Sequence, residues 1–504
     1  MSSRSLFRVL SRLPLQNGPL ITKRFFNRSL LTHSKPQFLK RHRIPIEAGQ
    51  SIHETRPHLI KSGDLTPGIS AMEYHQRRAK LMAQVPVNSC IIIPGSDVKY
   101  ASGAVFYPFQ QDNDFFYLSG WNEPNSILVL EKTETDQFKF YLFVQPKDEF
   151  AEKWEGFRTG FDGASEIFNA DEAFNINSTD RILSKILKRN KTIWIDQNNP
   201  NLKPSIKSII DDNTNSLKTI RNYKNLVAQM RKIKSPSEIA VMRRAGQISG
   251  KSYNQAFAKR IRNERTLASF LEYNFISGGC DGNAYIPVVA TGENALCIHY
   301  TRNNDVMYDD ELVLVDASGS LGGYCSDISR TWPVGGKFSN AQKDLYQAVL
   351  NVQKQCIELC KESNQLSLHD IHENSMEYMK VELKNLGLSN VNNWDVERLY
   401  PHYIGHNLGL DVHDVPEVSR RELLKEGQVI TIEPGLYIPD NAQFPDYFRN
   451  VGIRIEDDIA IGKDTYTNLT VEAVKEIIDL QAIMERGETL STFEGDIVSP
   501  LNEM

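Results

Sequence analysis

No apolar run in the chain approaches the ~18–20 residues that a membrane-spanning helix needs, and the mean hydropathy is −0.41. Insertion across a bilayer is therefore not expected. Cysteine is scarce, with six in 504 residues and no CxxC pair among them. That is too few for a disulfide framework, so reduced thiols in a reducing compartment are expected. Positive charge is not in excess either: 58 Lys and Arg stand against 63 Asp and Glu, a formal −5. No nucleic-acid partner is expected on that balance.

A further absence is local. Residues 1–46 hold ten basic residues and no acidic one, the first acid being Glu47. Without those ten the chain carries 48 basic against 63 acidic residues, a formal −15. Arg4, Arg8 and Arg12 recur every fourth residue among Leu6, Phe7, Val9, Leu10 and Leu13, which on a helix gives one basic and one apolar stripe. An acid-free, Arg-rich, Ser-bearing amphipathic segment has the composition of a mitochondrial presequence. A basic arm for acidic partners and a nuclear-import signal at Lys40-Arg41-His42-Arg43 are the alternatives. The presequence reading places the protein in the mitochondrial matrix, with peripheral attachment to the inner membrane as a variant.

The rest has an ordinary globular composition, 40% hydrophobic and 24% charged, and is long enough for two domains. The expected class is α/β (α+β). An amino-terminal α/β domain is expected over 47–200, a connection over 201–230, a second domain over 231–484 and a polar tail over 485–504. In the first domain Met72–Met82 reads as a helix. Ser89–Pro94, Asp114–Ser119, Ser126–Leu130, Phe138–Val144 and Thr192–Ile195 read as strands, with a turn at Gly120–Asn125. Ser235-Pro-Ser-Glu238 is a helix start, with Ser235 as cap, Pro236 in the first turn and Glu238 closing a capping box.

The second domain shows a faint doubling. Glu311-Leu-Val-Leu-Val-Asp316 and Gln428-Val-Ile-Thr-Ile-Glu433 are apolar strands ending in an acid. Each is followed by a return strand bearing another acid, Asp327 in 325–329 and Glu456 in 451–456. Carboxylates on apolar strands are costly unless a cation or hydrogen-bond donors compensate them. His402, His406 and His413 also crowd into residues 401–414, in a chain with only eleven histidines. One imidazole with four carboxylates is a hard, oxygen-rich set suited to Mn²⁺ or Co²⁺ more than Zn²⁺. Five side chains are many for one catalytic ion, whereas two ions about 3.5 Å apart share such a set and generate a bridging hydroxide near neutral pH. The chemistry implied is hydrolysis.

The motifs Leu312-Val-Leu-Val-Asp-Ala-Ser-Gly319, Tyr324-Cys-Ser-Asp-Ile-Ser329, Gly405-His-Asn-Leu-Gly-Leu-Asp-Val-His-Asp414, Thr431-Ile-Glu-Pro-Gly435 and Gly452-Ile-Arg-Ile-Glu456, in that order, resemble those of the pita-bread metallopeptidases. Phe106–Pro124 is similar to the corresponding segment of the aminopeptidase P branch. The resemblance covers about residues 68–484 and implies a pita-bread catalytic domain with pseudo-twofold halves. It implies Asp316, Asp327, His406, Glu433 and Glu456 as ligands of two divalent ions, Mn²⁺ being expected, with Asp327 and Glu456 bridging. His299, His413 and Glu433 are then the catalytic groups, His402 and His413 contact substrate, and Arg454 supports a metal carboxylate from behind.

Joined to the presequence, the resemblance points to a mitochondrial branch. Its members remove one residue, typically Tyr, Leu or Phe, from imported proteins after the matrix processing peptidase has cut them. The implied partners are amino termini of such proteins or peptides, and a homo-oligomer is allowed for. The competing readings are an Xaa-Pro aminopeptidase, a dipeptide prolidase, and a binding module that kept the fold without catalysis.

Overall fold

The computed structural model describes residues 48–214, 218–388 and 393–488. The basic segment 1–46 and the tail beyond 488 lie outside the described residues. Ser89–Pro94 is an unbroken buried strand at the centre of a six-stranded sheet. The order is Thr219–Arg221, Thr192–Trp194, Ser89–Pro94, Ile127–Glu134, Gln137–Val144, Glu172–Asn175. Pairing is antiparallel through the middle and parallel toward both edges. Alternation along Ser89–Pro94 sends Cys90 and Ile92 to one face, where Leu183, Ile186, Ile206 and Ile210 cover them. Ile91 and Ile93 face the opposite side with Leu81, Phe115 and Leu118.

Two local expectations fail for physical reasons. Asp114–Ser119 is not a strand but most of a helix, Asn113–Ser119. The Asp112 carboxylate caps it by accepting from the Asp114 and Phe115 amides, and Gly120 ends it at φ +68°. All six residues are buried because the sheet covers one face and the second domain the other. A helix covered all round loses the 3.6-residue periodicity that would have revealed it. The stretch 201–230, expected to connect two domains, instead completes the first one. Its helix Pro204–Asp212 buries Ile206 and Ile210 against the sheet, and Thr219–Arg221 pairs parallel with Thr192–Trp194 as the edge strand.

The second domain opens with the helix Pro236–Ala258, capped by Ser235 and Glu238 as the sequence predicts. The doubling is present and follows one plan in each half. In the first, Leu312–Asp316 runs to its acid, a short hairpin of Gly319–Leu321 and Tyr324–Cys325 follows, then Asp327, and Ser329–Pro333 returns antiparallel to the first strand. In the second, Val429–Ile432 runs to Glu433, a hairpin of Gly435–Ile438 and Val451–Arg454 follows, then Glu456, and Asp457–Ile461 returns. Asp327 and Glu456 thus sit at the breaks between hairpin and return strand rather than inside strands. Helices Glu264–Ser277, Asn340–Glu358 and Leu368–Asn385 flank these sheets; the last two are held by capping boxes at Ser339/Gln342 and Ser367/Asp370.

The two domains share apolar packing: Tyr74 and Phe116 of the first lie in one cluster with Val241, Tyr324, Leu408 and Leu410 of the second. Arg77 adds a polar link, donating to the Tyr324 hydroxyl (3.2 Å), which itself donates to Glu238 (2.7 Å).

Candidate active site

Backbone pairing brings the histidine loop beside the second-half strand. The Thr431 amide donates to the His406 carbonyl (2.9 Å) and the Glu433 amide to the Ile404 carbonyl (2.8 Å). This approach requires Gly405, because a Cβ there would fall on the Thr431 carbonyl oxygen. His406 and Glu433 are neighbours for that reason, with Nε2 and Oε1 3.5 Å apart. His406 Nδ1 lies 3.0 Å from the Asn407 carbonyl. A carbonyl can only accept, so Nδ1 carries a proton and Nε2 is the nitrogen turned toward the carboxylates.

The first half meets it from the other side. Asp327 Oδ2 is 3.5 Å from His406 Nε2, and donor atoms of Asp327, His406 and Glu456 all lie within 4.8 Å of one another. The Tyr285 hydroxyl joins Asp327 Oδ1 (2.6 Å) to Asp316 Oδ1 (2.5 Å). Arg454 then ties the two halves together: Nη2 reaches Asp316 Oδ2 at 2.5 Å, Nε donates to Ser329 Oγ and Nη1 to Tyr437, both at 2.8 Å. Ser329 in turn donates to Glu456 Oε2 (2.6 Å).

The electrostatics of this cluster call for cations. Burial raises the Asp316 carboxyl even against Arg454. Burial raises Glu456 well above the usual range, with Asp327 and Glu433 adding to it. Burial pushes Glu433 up to about 7, although His406 and Arg454 pull the other way. Four carboxylates face one guanidinium. Burial by itself would keep the His406 imidazole neutral, yet Asp327 and Glu433 push it up to about 9. A proton there takes the place a Lewis acid would hold. Four oxygen donors and one oriented imidazole nitrogen fit divalent ions of the harder kind, and Asp327, His406 and Glu456 form a candidate three-residue site.

Residues 240–463 match Metallopeptidase family M24, and residues 74–194 match the aminopeptidase P amino-terminal domain. The chain is 65% identical over 500 residues to Intermediate cleaving peptidase 55 of Saccharomyces cerevisiae, covering 95% of this chain and 97% of that one. The chain belongs to metallopeptidase family M24.

Its M24 domain and its amino-terminal domain together place it on the aminopeptidase P branch. The crystal structure of Icp55 from Saccharomyces cerevisiae lacking 58 amino-terminal residues superposes with a TM-score of 0.80 at 64% identity, covering 85% of this chain and all of that one. Aminopeptidase P from E. coli with the inhibitor Pro-Leu superposes at 0.78 and 32% identity, over 83% of this chain and 98% of that one. The pita-bread architecture expected from the motifs is the one observed.

The other residues singled out in the M24 sequence lie around the same centre. His413 packs edge-on against His406, ring centroids 4.3 Å apart. It stands on the exposed side, and partial burial together with the neighbouring His406 lowers its pKa. His299 is also exposed, on a segment whose Ala295, Leu296 and Ile298 pack against Tyr437. His402 is tied into the site by both ring nitrogens. Its Nδ1 donates to the Tyr403 carbonyl and its Nε2 accepts from the Tyr437 hydroxyl, both at 2.9 Å. Both ring nitrogens are thus committed, and burial with the nearby Arg454 lowers its pKa to about 3. Arg454 donates to Asp316, a half-buried carboxylate of the opposite half.

Sequence reasoning missed Tyr285, Ser329, Tyr437 and Asp458. Asp458 accepts from Ser326 Oγ (2.7 Å) and from the Asp327 amide (3.1 Å), so it fixes the loop that carries Asp327. The signal was the bare carboxylates on apolar strands, which demanded donors without saying where they lie.

Proposed function

We propose that the protein removes a single amino-terminal residue from imported mitochondrial proteins, and that the residue is a bulky Tyr, Leu or Phe exposed by the matrix processing peptidase. The observation that carries this reading is the convergence of Asp316, Asp327, His406, Glu433 and Glu456 from both halves, with His413 beside them and exposed. Asp316, Asp327, His406, Glu433 and Glu456 would hold two divalent ions, and the oxygen-rich set favours Mn²⁺. Such a pair supplies Lewis acidity to the scissile carbonyl and lowers the pKa of water.

The chain's own groups do the rest. Glu433 takes the proton of the attacking water and delivers it to the departing amino group. His413 donates to the carbonyl oxygen as that oxygen gains charge. His299, on the same open side, borders the first peptide bond. His402, Tyr437 and Arg454 form a hydrogen-bonded chain that holds the floor of the site in one arrangement. The mitochondrial setting is supported by the acid-free basic segment 1–46, and no described helix is long and apolar enough to cross a membrane.

The likeness to aminopeptidase P favours a second reading, cleavage before proline. Comparing a dipeptide Xaa-Pro, an Xaa-Pro tripeptide and a longer peptide starting with Tyr separates the readings. Release of Tyr from the long peptide supports the proposal. Turnover confined to Xaa-Pro bonds supports the alternative. Amino-terminal sequencing of mitochondrial proteins with and without the enzyme would show the one-residue difference directly.

A further inference from the structure

Among the described residues, the buried cation with the most carboxylate partners lies outside the ligand cluster. Arg231, at the end of the helix Lys224–Lys232, has a side chain only 6% exposed. Its Nη1 reaches Asp114 Oδ1, and its Nη2 reaches both Asp411 Oδ2 and Asp414 Oδ1, all at 2.6 Å. Asp114 belongs to the capped helix of the first domain. Asp411 and Asp414 belong to the loop that carries His406 and His413, and Asp414 is the residue next to His413. The same helix makes a second contact with this loop: Asn113 Nδ2 donates to Asp411 Oδ1 (2.7 Å) and to the Leu410 carbonyl (3.2 Å).

We infer that Arg231 is a positioning residue for His413, and that through it the first domain sets the geometry of the catalytic histidine loop. The inference rests on the aminopeptidase reading for the role of His413 and adds the element that holds it. The His413 ring makes no hydrogen bond to another described residue, and it stands on the exposed side of the site. Apart from edge-on packing on His406, its orientation therefore depends on the backbone on either side of it. That backbone is pinned at 414, where the amide donates to the Asn407 carbonyl (2.9 Å) and the carboxylate is held by Arg231 and by Lys234 at 3.0 Å. His406 shares the Asn407 carbonyl with the Asp414 amide, but its own backbone is held apart from Arg231, by pairing with Thr431. Loss of Arg231 should therefore displace His413 while sparing the ligand histidine.

A planar guanidinium can serve three carboxylates at once, and a lysine ammonium cannot match that fork although it keeps the charge. Because Lys234 still pairs with Asp414, Arg231→Lys does not strand a buried carboxylate without a cation. The test is a double-mutant cycle on kcat with Arg231→Lys and His413→Ala, together with metal content and hydrogen exchange of residues 405–414. Arg231→Lys should lower kcat about tenfold with KM and metal content unchanged, and should cost less than about twofold once His413 is already Ala. Amide exchange in 405–414 should quicken in the variant and in Asp114→Asn, but not in the helix Asn340–Glu358.

An equal kcat loss in both backgrounds, loss of metal, or unchanged exchange in 405–414 would overturn the inference. Absence of aminopeptidase activity in the unaltered chain would count against the function instead, and the exchange measurement would still decide whether the first domain holds the loop.

Discussion

The Arg454 guanidinium lies 2.5 Å from the Asp316 carboxylate, a pairing between the second-half hairpin and the first-half strand. The side chain of Arg454 is 2% exposed and that of Asp316 is 17% exposed, so the contact is shielded from solvent screening. Arg454 also donates to Ser329, which donates to Glu456, so one guanidinium orients acids from both halves. Arg454→Lys keeps the charge but cannot make all three contacts. It should reduce metal affinity or kcat by ~10–100-fold, the usual cost of losing a group that orients ligands. Metal titration and steady-state kinetics on one preparation check this.

Asp327 takes part in three contacts at once, with Tyr285, with His406 and through its amide with Asp458. Asp327→Ala should abolish hydrolysis while leaving the circular dichroism close to that of the parent. Near-normal turnover of the metal-saturated variant would refute its assignment as a bridging ligand.

Metal removal has a stability signature as well. Four carboxylates in one cluster, Asp327 and Glu456 buried and Asp316 and Glu433 half-buried, repel each other when the cations are stripped. Dialysis against a chelator should therefore abolish activity and lower the unfolding temperature, and added Mn²⁺ should restore both. Linkage sets the scale: about 2.7 kcal/mol per site at a free-ion concentration of 100 Kd. An unfolding temperature that ignores the chelator would speak against ions bound within this cluster.

Much of the fold and site was legible in the chain and some was not, and the division follows the range of the forces. The strand Ser89–Pro94 and the helix start at Ser235 are local, written in an apolar run and a capping box. The four acids and the histidine loop were legible because acids beside apolar strands, and three histidines crowded into residues 401–414, need a reason to be there. The helix Asn113–Ser119 was misread as a strand because it is covered on all sides, although the Asp112 cap and Gly120 stop were in view. The edge strand Thr219–Arg221 is only three residues long and sits in a polar stretch, so nothing local marks it. Tyr285 meets Asp316 and Asp327 from 31 and 42 residues away; a single tyrosine in an unremarkable segment carries no pattern.

Behind the site, Arg330 and Asp457 form an ion pair that is 0% exposed on both sides, at 2.7 Å. Arg330 also donates to the Glu456 carbonyl (2.6 Å), so the pair fixes the backbone of a proposed ligand. Asp457 is further held by Lys475 and Gln353. Arg330→Met should destabilise the protein by about 3–5 kcal/mol, the usual cost of stranding one partner of a buried pair. Chemical denaturation would read this; a loss below about 1 kcal/mol would show that Lys475 alone suffices for Asp457.

The proposed function gives His406 and His413 different roles. His406 offers Nε2 to Asp327 and Glu433 and is assigned to the metal. His413 lies over it on the exposed side and is assigned to the oxygen that gains charge. Metal stoichiometry and kcat measured on the same preparations of His406→Ala and His413→Ala decide the matter. His413→Ala should bind two ions and lose ~10²–10³ in kcat. His406→Ala should lose affinity for one ion and regain part of its rate in excess Mn²⁺. Metal loss in His413→Ala with full loading in His406→Ala would contradict the assignment of the centre.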